Sequence, residues 1–152
     1  MLPVKKIVCP TDFSGPSLEG LKAANELAHH FTAELVVLHV NPPIPVMPEG
    51  HGAINFNIPE YQKEMERAAN EQIGKVVERW VSPDVKATAR VAQGDPAEEI
   101  AAAAAETKAD LIVISTHGRT GWRRFVTGSV TEKVVRLAEL PVLTIHFPYE
   151  EK

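Results

Sequence analysis

The chain alternates short apolar runs with longer amphipathic segments along most of its 152 residues. Short apolar runs are typical of strands buried in a sheet. Segments with apolar side chains three and four residues apart are typical of helices that cover such a sheet. Regular alternation of the two predicts an α/β fold built on a parallel sheet. A chain of this length forms about one domain, so we expect a single domain over residues 1–152.

The boundaries of the predicted elements follow from this alternation. Five strands are predicted at residues 5–9, 35–40, 85–91, 111–114 and 142–147, and four helices at 16–31, 59–81, 96–107 and 129–138. The first, second and fourth strands are continuous apolar runs, which favours the interior of a sheet, whereas the third and fifth are mixed and favour its edges. Right-handed crossovers then predict a Rossmann-like, doubly wound, five-stranded parallel sheet of order 3-2-1-4-5, with helices on both faces.

Residues 41–58 do not fit this scheme, because they contain four prolines and two glycines. We expect an irregular Pro/Gly-rich loop there. A surface connector and a flap over a bound ligand are both consistent with this segment.

Composition and charge exclude several classes of protein. The net charge of −4 argues against sequence-independent binding of nucleic acid, which needs a basic face. No apolar stretch approaches the roughly 20 residues of a membrane span, and no signal-peptide pattern is present, so we expect a cytoplasmic protein. The single cysteine, Cys9, lies in an apolar run and is expected to be a small buried hydrophobe. The six histidines show no metal-ligand spacing.

The ends of the first and fourth strands are the expected ligand site, because a doubly wound sheet binds ligands where its strand order reverses. Asp12 lies in the turn after strand one. After strand four come Ser115 and Gly118, then nine residues, then Gly128 and Ser129 at the start of a helix. Glycines allow close approach of a phosphate to the backbone, and a helix N-terminus supplies free N–H groups. This pattern predicts a nucleotide site.

Each of these features also has a purely structural interpretation. The carboxylate of Asp12 is suited to an amine, a ribose hydroxyl or a metal, but it is equally suited to capping local backbone amides. Residues 129–132 (SVTE) form a capping box, which accounts for the helix start without a ligand. There is no Walker A sequence, no G-x-G-x-x-G and no G-x-S-x-G, so no dedicated catalytic activity is expected.

Five segments together resemble the universal stress protein family over nearly the whole chain. They are residues 6–14 (KIVCPTDFS), 37–40 (VLHV), 94–96 (GDP) before Ile100, 115–118 (STHG) with 128–132 (GSVTE), and 141–143 (PVL). The resemblance implies a Rossmann-like fold, a homodimer and, in the branch with the pattern G-x-x-G, nine residues, G-[ST], binding of ATP or AMP. It points to a stress-response regulator with at most slow ATP hydrolysis.

By position, the resemblance also implies which residues bind the nucleotide. Those around adenine and ribose would be Pro10, Thr11, Asp12 and Val40; those along the ribose and phosphates would be Ile114, Ser115, His117 and Gly118; those at the phosphates would be Gly128, Ser129, Val130 and Thr131. Mg²⁺ or Mn²⁺ is compatible with the triphosphate.

Ser115 stands where the family motif has its first glycine. This departure leaves open a second interpretation, a dimeric protein-interaction module with a vestigial nucleotide site. The predicted strand at 142–147 is the expected dimer contact, because it would otherwise leave an open sheet edge. A flavodoxin-like FMN binder is also compatible with the topology.

Overall fold

The sheet of this protein has all five strands parallel, in the order β3-β2-β1-β4-β5, as predicted. A computed structural model describes residues 3–44, 57–116 and 129–146. The strands are β1 (Lys6–Pro10), β2 (Glu34–Asn41), β3 (Ala87–Gln93), β4 (Leu111–Ser115) and β5 (Val142–Ile145). The helices are α1 (Gly15–Phe31), α2 (Ile58–Trp80), α3 (Pro96–Glu106) and α4 (Ser129–Leu137).

Strand β3 lies two residues further along the chain than predicted. Val85 was expected to begin the strand, but its N–H donates to the carbonyl of Ser82 at 3.0 Å and closes a turn. Its side chain is nevertheless buried in the core, which accounts for its apolar character. Pairing with β2 begins at Ala87 and continues to Gln93, because β2 itself runs on to Asn41.

The two faces of the sheet are covered by different helices. One core cluster joins residues of β1, β2 and β4 to buried residues of α1 and α2, including Leu21 and Ile73. The other joins the alternate residues of the same strands to α3 and α4, including Ile100 and Val134. Strands buried on both faces are the expected result of continuous apolar runs. Among the described helices, none is long and apolar enough to cross a membrane.

Aspartate or serine caps fix where two of the helices begin. Ser14 caps α1, with its hydroxyl accepting from the N–H of Ser17 at 3.4 Å. Asp95 caps α3, with one carboxylate oxygen accepting from the N–H groups of Ala97 at 3.0 Å and Glu98 at 3.2 Å. Serine and aspartate are among the residues preferred at this position. Since α1 follows β1 and α3 follows β3, both helices begin at the carboxyl edge of the sheet.

Cys9 is fully buried in β1, and burial raises the pKa of its thiol from 9.0 to about 12. Because the thiolate is the reactive form, we expect the folded protein to resist alkylation by iodoacetamide at pH 8. The rate should rise at least about a hundredfold in denaturant, where the thiol regains its ordinary pKa and its access to solvent. Mass spectrometry of the alkylated chain measures this; equal rates with and without denaturant would contradict it.

Candidate functional site

Strand β2 continues three residues beyond the end of β1 at the carboxyl edge of the sheet. The last β1–β2 pair is Pro10 and Leu38, whereas β2 pairs with β3 as far as Asn41. The carbonyl of Leu38 accepts from the N–H of Thr11 at 2.8 Å, on the β1 side. Because peptide groups alternate in direction along a strand, those of Val40 also point to the β1 side, beyond the last β1 residue. They face the crevice between β2 and the end of β1.

The turn after β1 is held by its own side chains. The hydroxyl of Thr11 is buried, lies 2.9 Å from that of Ser17 and accepts from the N–H of Phe13 at 3.1 Å. One carboxylate oxygen of Asp12 accepts from both the N–H of Ser14 at 3.0 Å and its hydroxyl at 2.5 Å. Asp12 therefore has the capping role that the sequence left open. A ligand contact for Asp12 and Thr11 stays a prediction.

Phe13 and His39 also belong to this turn, although the sequence did not indicate them as site residues. The φ angle of Phe13 is +66°, a left-handed conformation that is uncommon for a bulky side chain. Its ring stacks on that of His39 with 4.3 Å between centroids, and His39 Nδ1 donates to the carbonyl of Thr11 at 2.8 Å. This stack supports the turn from the α1 side. The sequence did not indicate Phe13, because a phenylalanine at this position gives no sign that its backbone is left-handed.

Four of the predicted site residues share one face of the sheet near its carboxyl edge. Ile114 is buried in the cluster with α3 and α4, and Val40 and Val130 pack against that cluster. Pro10 follows Val8 of the same cluster at two-residue spacing and so lies on the same face. Together they form a half-buried apolar surface beside the crevice.

Ser115 points away from that apolar surface. Val113, two residues before it, is buried against the α1 side of the sheet, whereas Ile114 is buried against the α3 side. A methyl group placed on Gly20 of α1 would lie 3.5 Å from the Cβ of Ser115. The extra side-chain atoms of serine, relative to glycine, are therefore directed toward α1 and not toward Val40 and Ile114.

The start of α4 is tied directly to the end of β4. Thr131 is buried, and its hydroxyl donates to the carbonyl of Ser115 at 2.8 Å. Lys133, two residues further along α4, forms an ion pair of 3.6 Å with Asp95 at the start of α3. The side chain of Thr131, predicted to contact phosphate, is thus engaged within the protein. Its main chain is the part that remains suited to a ligand.

The helix N-termini at this edge differ in charge. The N–H of Glu98 and then the charge of Lys133 hold the pKa of Asp95 below its usual range, so α3 begins at a carboxylate. The carboxylate of Asp12 lies just before α1 and accepts from the N–H of the capping residue Ser14. The acid in the first turn of α4, Glu132, is paired with Arg136 at 2.7 Å. Of these three helices, α4 is the best suited to an anion.

His117, Gly118 and Gly128 lie outside the described residues, as does most of the predicted loop at 41–58. Ser129 is the first residue of α4. Within residues 3–44, 57–116 and 129–146, no three His, Cys, Asp or Glu side chains cluster as metal ligands.

Comparison with known proteins gives consistent results in sequence and structure. A model of the universal stress protein family matches residues 3–146. The universal stress protein MJ0531 of Methanocaldococcus jannaschii is 40% identical over 150 residues, which cover 97% of this chain and 85% of that protein.

Solved structures share the fold over nearly the whole chain. The structure of MJ0577, from the same organism, has a TM-score of 0.82 at 25% identity and covers 97% of this chain and 99% of its own. A universal stress protein family member from Arabidopsis thaliana, solved with AMP bound, has a TM-score of 0.64 at 18% identity. That match covers 95% of this chain and 92% of the other.

Proposed function

We propose, from the fact that the chain belongs to the universal stress protein family, that it binds an adenine nucleotide at the carboxyl edge of its sheet. The observations that carry the proposal are that β2 runs three residues past its last pair with β1, which turns the peptide groups of Val40 toward the space above β1, and that the end of β4 is bonded to the start of α4. These features lie at the switch point between β1 and β4, where doubly wound sheets bind ligands. The nucleotide would make the protein a ligand-dependent regulator of the stress response.

The phosphates would bind at the N-terminus of α4. The first N–H groups of a helix have no partner within it, and the helix dipole favours an anion there. The carboxylates of Asp12 and Asp95 make the starts of α1 and α3 unfavourable for phosphate. The first turn of α4 contributes main-chain groups of Ser129, Val130 and Thr131. Mg²⁺ or Mn²⁺ would accompany only the triphosphate.

The base would be recognised by the peptide groups of Val40. Its carbonyl accepts and its N–H donates, and both face the crevice above the end of β1. Adenine offers an amino donor where guanine offers a carbonyl acceptor, so the carbonyl of Val40 would favour adenine. The apolar side chains of Pro10, Val40 and Ile114 would pack against the planar ring.

Isothermal titration calorimetry with ATP, AMP and GTP tests this proposal on the unmodified protein. We expect ATP and AMP to bind with micromolar dissociation constants and GTP to bind at least about tenfold more weakly, since one mismatched hydrogen bond costs more than about 1.4 kcal/mol. Mass spectrometry of the natively purified protein should detect adenine nucleotide. Absence of binding by all three would contradict the proposal and favour the interaction module with a vestigial site.

We also propose that two copies pair through β5. This strand is an edge of the sheet formed by the described residues. Leu143 on β5, together with Val135 and Leu137 of α4, is exposed by 39–51%. An edge strand with apolar neighbours tends to pair with another chain. A second copy would add an antiparallel β5 and cover these three side chains.

A further inference from the structure

Gly20 is placed where α1 approaches the end of β4 most closely. A methyl group at this position would lie 3.3 Å from the backbone nitrogen of Ser115 and 3.5 Å from its Cβ. Glycine is disfavoured in the interior of a helix relative to alanine, and Gly20 is the sixth residue of a 17-residue helix. The close approach to Ser115 explains why a glycine is used here.

The tightest contact of a methyl group on Gly20 would be with the main chain of Ser115. Its nitrogen, at 3.3 Å, would be closer than a Cβ normally comes to a backbone atom, whereas 3.5 Å to the Cβ of Ser115 is an ordinary van der Waals contact. A side chain on Gly20 would therefore displace the end of β4 by a few tenths of an ångström, whichever residue stands at position 115.

A movement of Ser115 would be transmitted to α4. Its carbonyl accepts the 2.8 Å hydrogen bond from the buried hydroxyl of Thr131, in the first turn of that helix. The contact from Gly20 to Ser115 and the bond from Ser115 to Thr131 form a continuous link between α1 and the start of α4. Buried close contacts of this kind leave little room for independent displacement.

We infer that Gly20 is a positioning residue, which sets the start of α4 for the phosphates of the bound nucleotide through its close approach to the backbone of Ser115. Gly20 itself would not touch the ligand. The inference rests on the proposed nucleotide site. It predicts that enlarging Gly20 impairs binding of the phosphates more than binding of the nucleoside, which would contact β1 and β2 instead.

Gly20→Ala tests the inference, with ATP and adenosine as ligands. We expect it to weaken ATP binding at least about fivefold and adenosine binding less than about twofold. Calorimetry gives the affinities, and thermal unfolding of the apo proteins gives the stability of each variant.

Gly74→Ala is the matched control, because it makes the same change inside α2 where a methyl group would meet nothing within 4 Å. It should leave ATP affinity unchanged. The inference is wrong if Gly20→Ala binds ATP like the wild type. It is also wrong if ATP and adenosine affinities fall equally. Wild-type protein that binds neither ligand would instead contradict the proposed function, and the melting temperatures of Gly20→Ala and Gly74→Ala would still report the close approach of α1 to β4.

Thr131→Val tests the second half of the link should Gly20→Ala not fold. It removes the hydroxyl at nearly constant volume and leaves the Ser115 carbonyl without its donor. We expect ATP affinity to fall at least about fivefold with adenosine affinity retained, and Thr131→Ser to restore ATP binding because serine keeps the donor. Retained ATP affinity in Thr131→Val would contradict the inference.

Discussion

Ser129→Asp is expected to weaken ATP binding by at least about a hundredfold while the apo protein stays as stable as the wild type or becomes more so. Position 129 is the first residue of α4. A carboxylate there repels a phosphate a few ångströms away. The same carboxylate interacts favourably with the helix dipole, by about 0.3–1 kcal/mol. Affinity and stability should therefore move in opposite directions, which a simple folding defect cannot produce.

Ser129→Asn is the matched control for this charge. It has the shape of aspartate without its charge and is also a good residue at a helix start. We expect its ATP affinity to lie much closer to that of the wild type. Calorimetry with ATP and with adenosine, and thermal melts without ligand, give the comparison. If Ser129→Asp binds ATP as tightly as Ser129→Asn, the phosphates do not bind at α4.

Thr144→Pro is expected to convert the proposed dimer into a folded monomer. The carbonyls of Pro141 and Ile145 accept from Ile112 in β4 and from Thr116 just after it, so the peptide groups of Leu143 also face β4 and those of Thr144 face the other side. Proline at position 144 removes an N–H that pairs with no other strand among the described residues and that a second copy would use. Light scattering at micromolar concentration should show half the mass of the wild type. A monomeric wild-type protein would contradict the proposed dimer.

Leu143→Pro, one residue earlier, is the control that separates assembly from folding. Its N–H faces β4, so proline there removes a bond of the sheet itself. We expect a loss of about 3 kcal/mol in the free energy of unfolding, whereas Thr144→Pro should lose much less. Urea denaturation followed by circular dichroism measures both. Equal losses would show that the peptide directions in β5 are not as inferred.

The sequence was sufficient to predict the strand order and most element boundaries. Strands buried on both faces are continuous apolar runs, whereas the strands at the edges of the sheet mix apolar and polar residues. The sequence was not sufficient for β3. Val85 and Val91 belong to the same two-residue repeat of apolar side chains, so this repeat does not show where the strand begins. The start of pairing is determined by the partner strand β2. The number of residues that a strand pairs depends on its partner strand. The pattern of a single segment carries no information about that partner.

The candidate site was predicted only as far as strand ends could locate it. The strand order placed the expected site at the ends of β1 and β4, whereas Pro10, Val40 and Ile114 were implied by the family resemblance, and their contact with a ligand stays a prediction. Gly20 and His39 were missed as site residues, since their roles depend on contacts with residues 95 and 28 positions away, Ser115 and Thr11. Neither a helix glycine nor a strand histidine is distinguishable from its ordinary counterparts without those partners.

The three-residue overhang of β2 beyond β1 has an evolutionary consequence. A base read by the peptide of Val40 is read by atoms that every residue except proline possesses. Under the proposed base contact, side chains along this edge would be free to diverge while the backbone would keep the selectivity for the base. Such drift agrees with a fold shared with MJ0577 at a TM-score of 0.82 although three residues in four differ, as 25% identity requires.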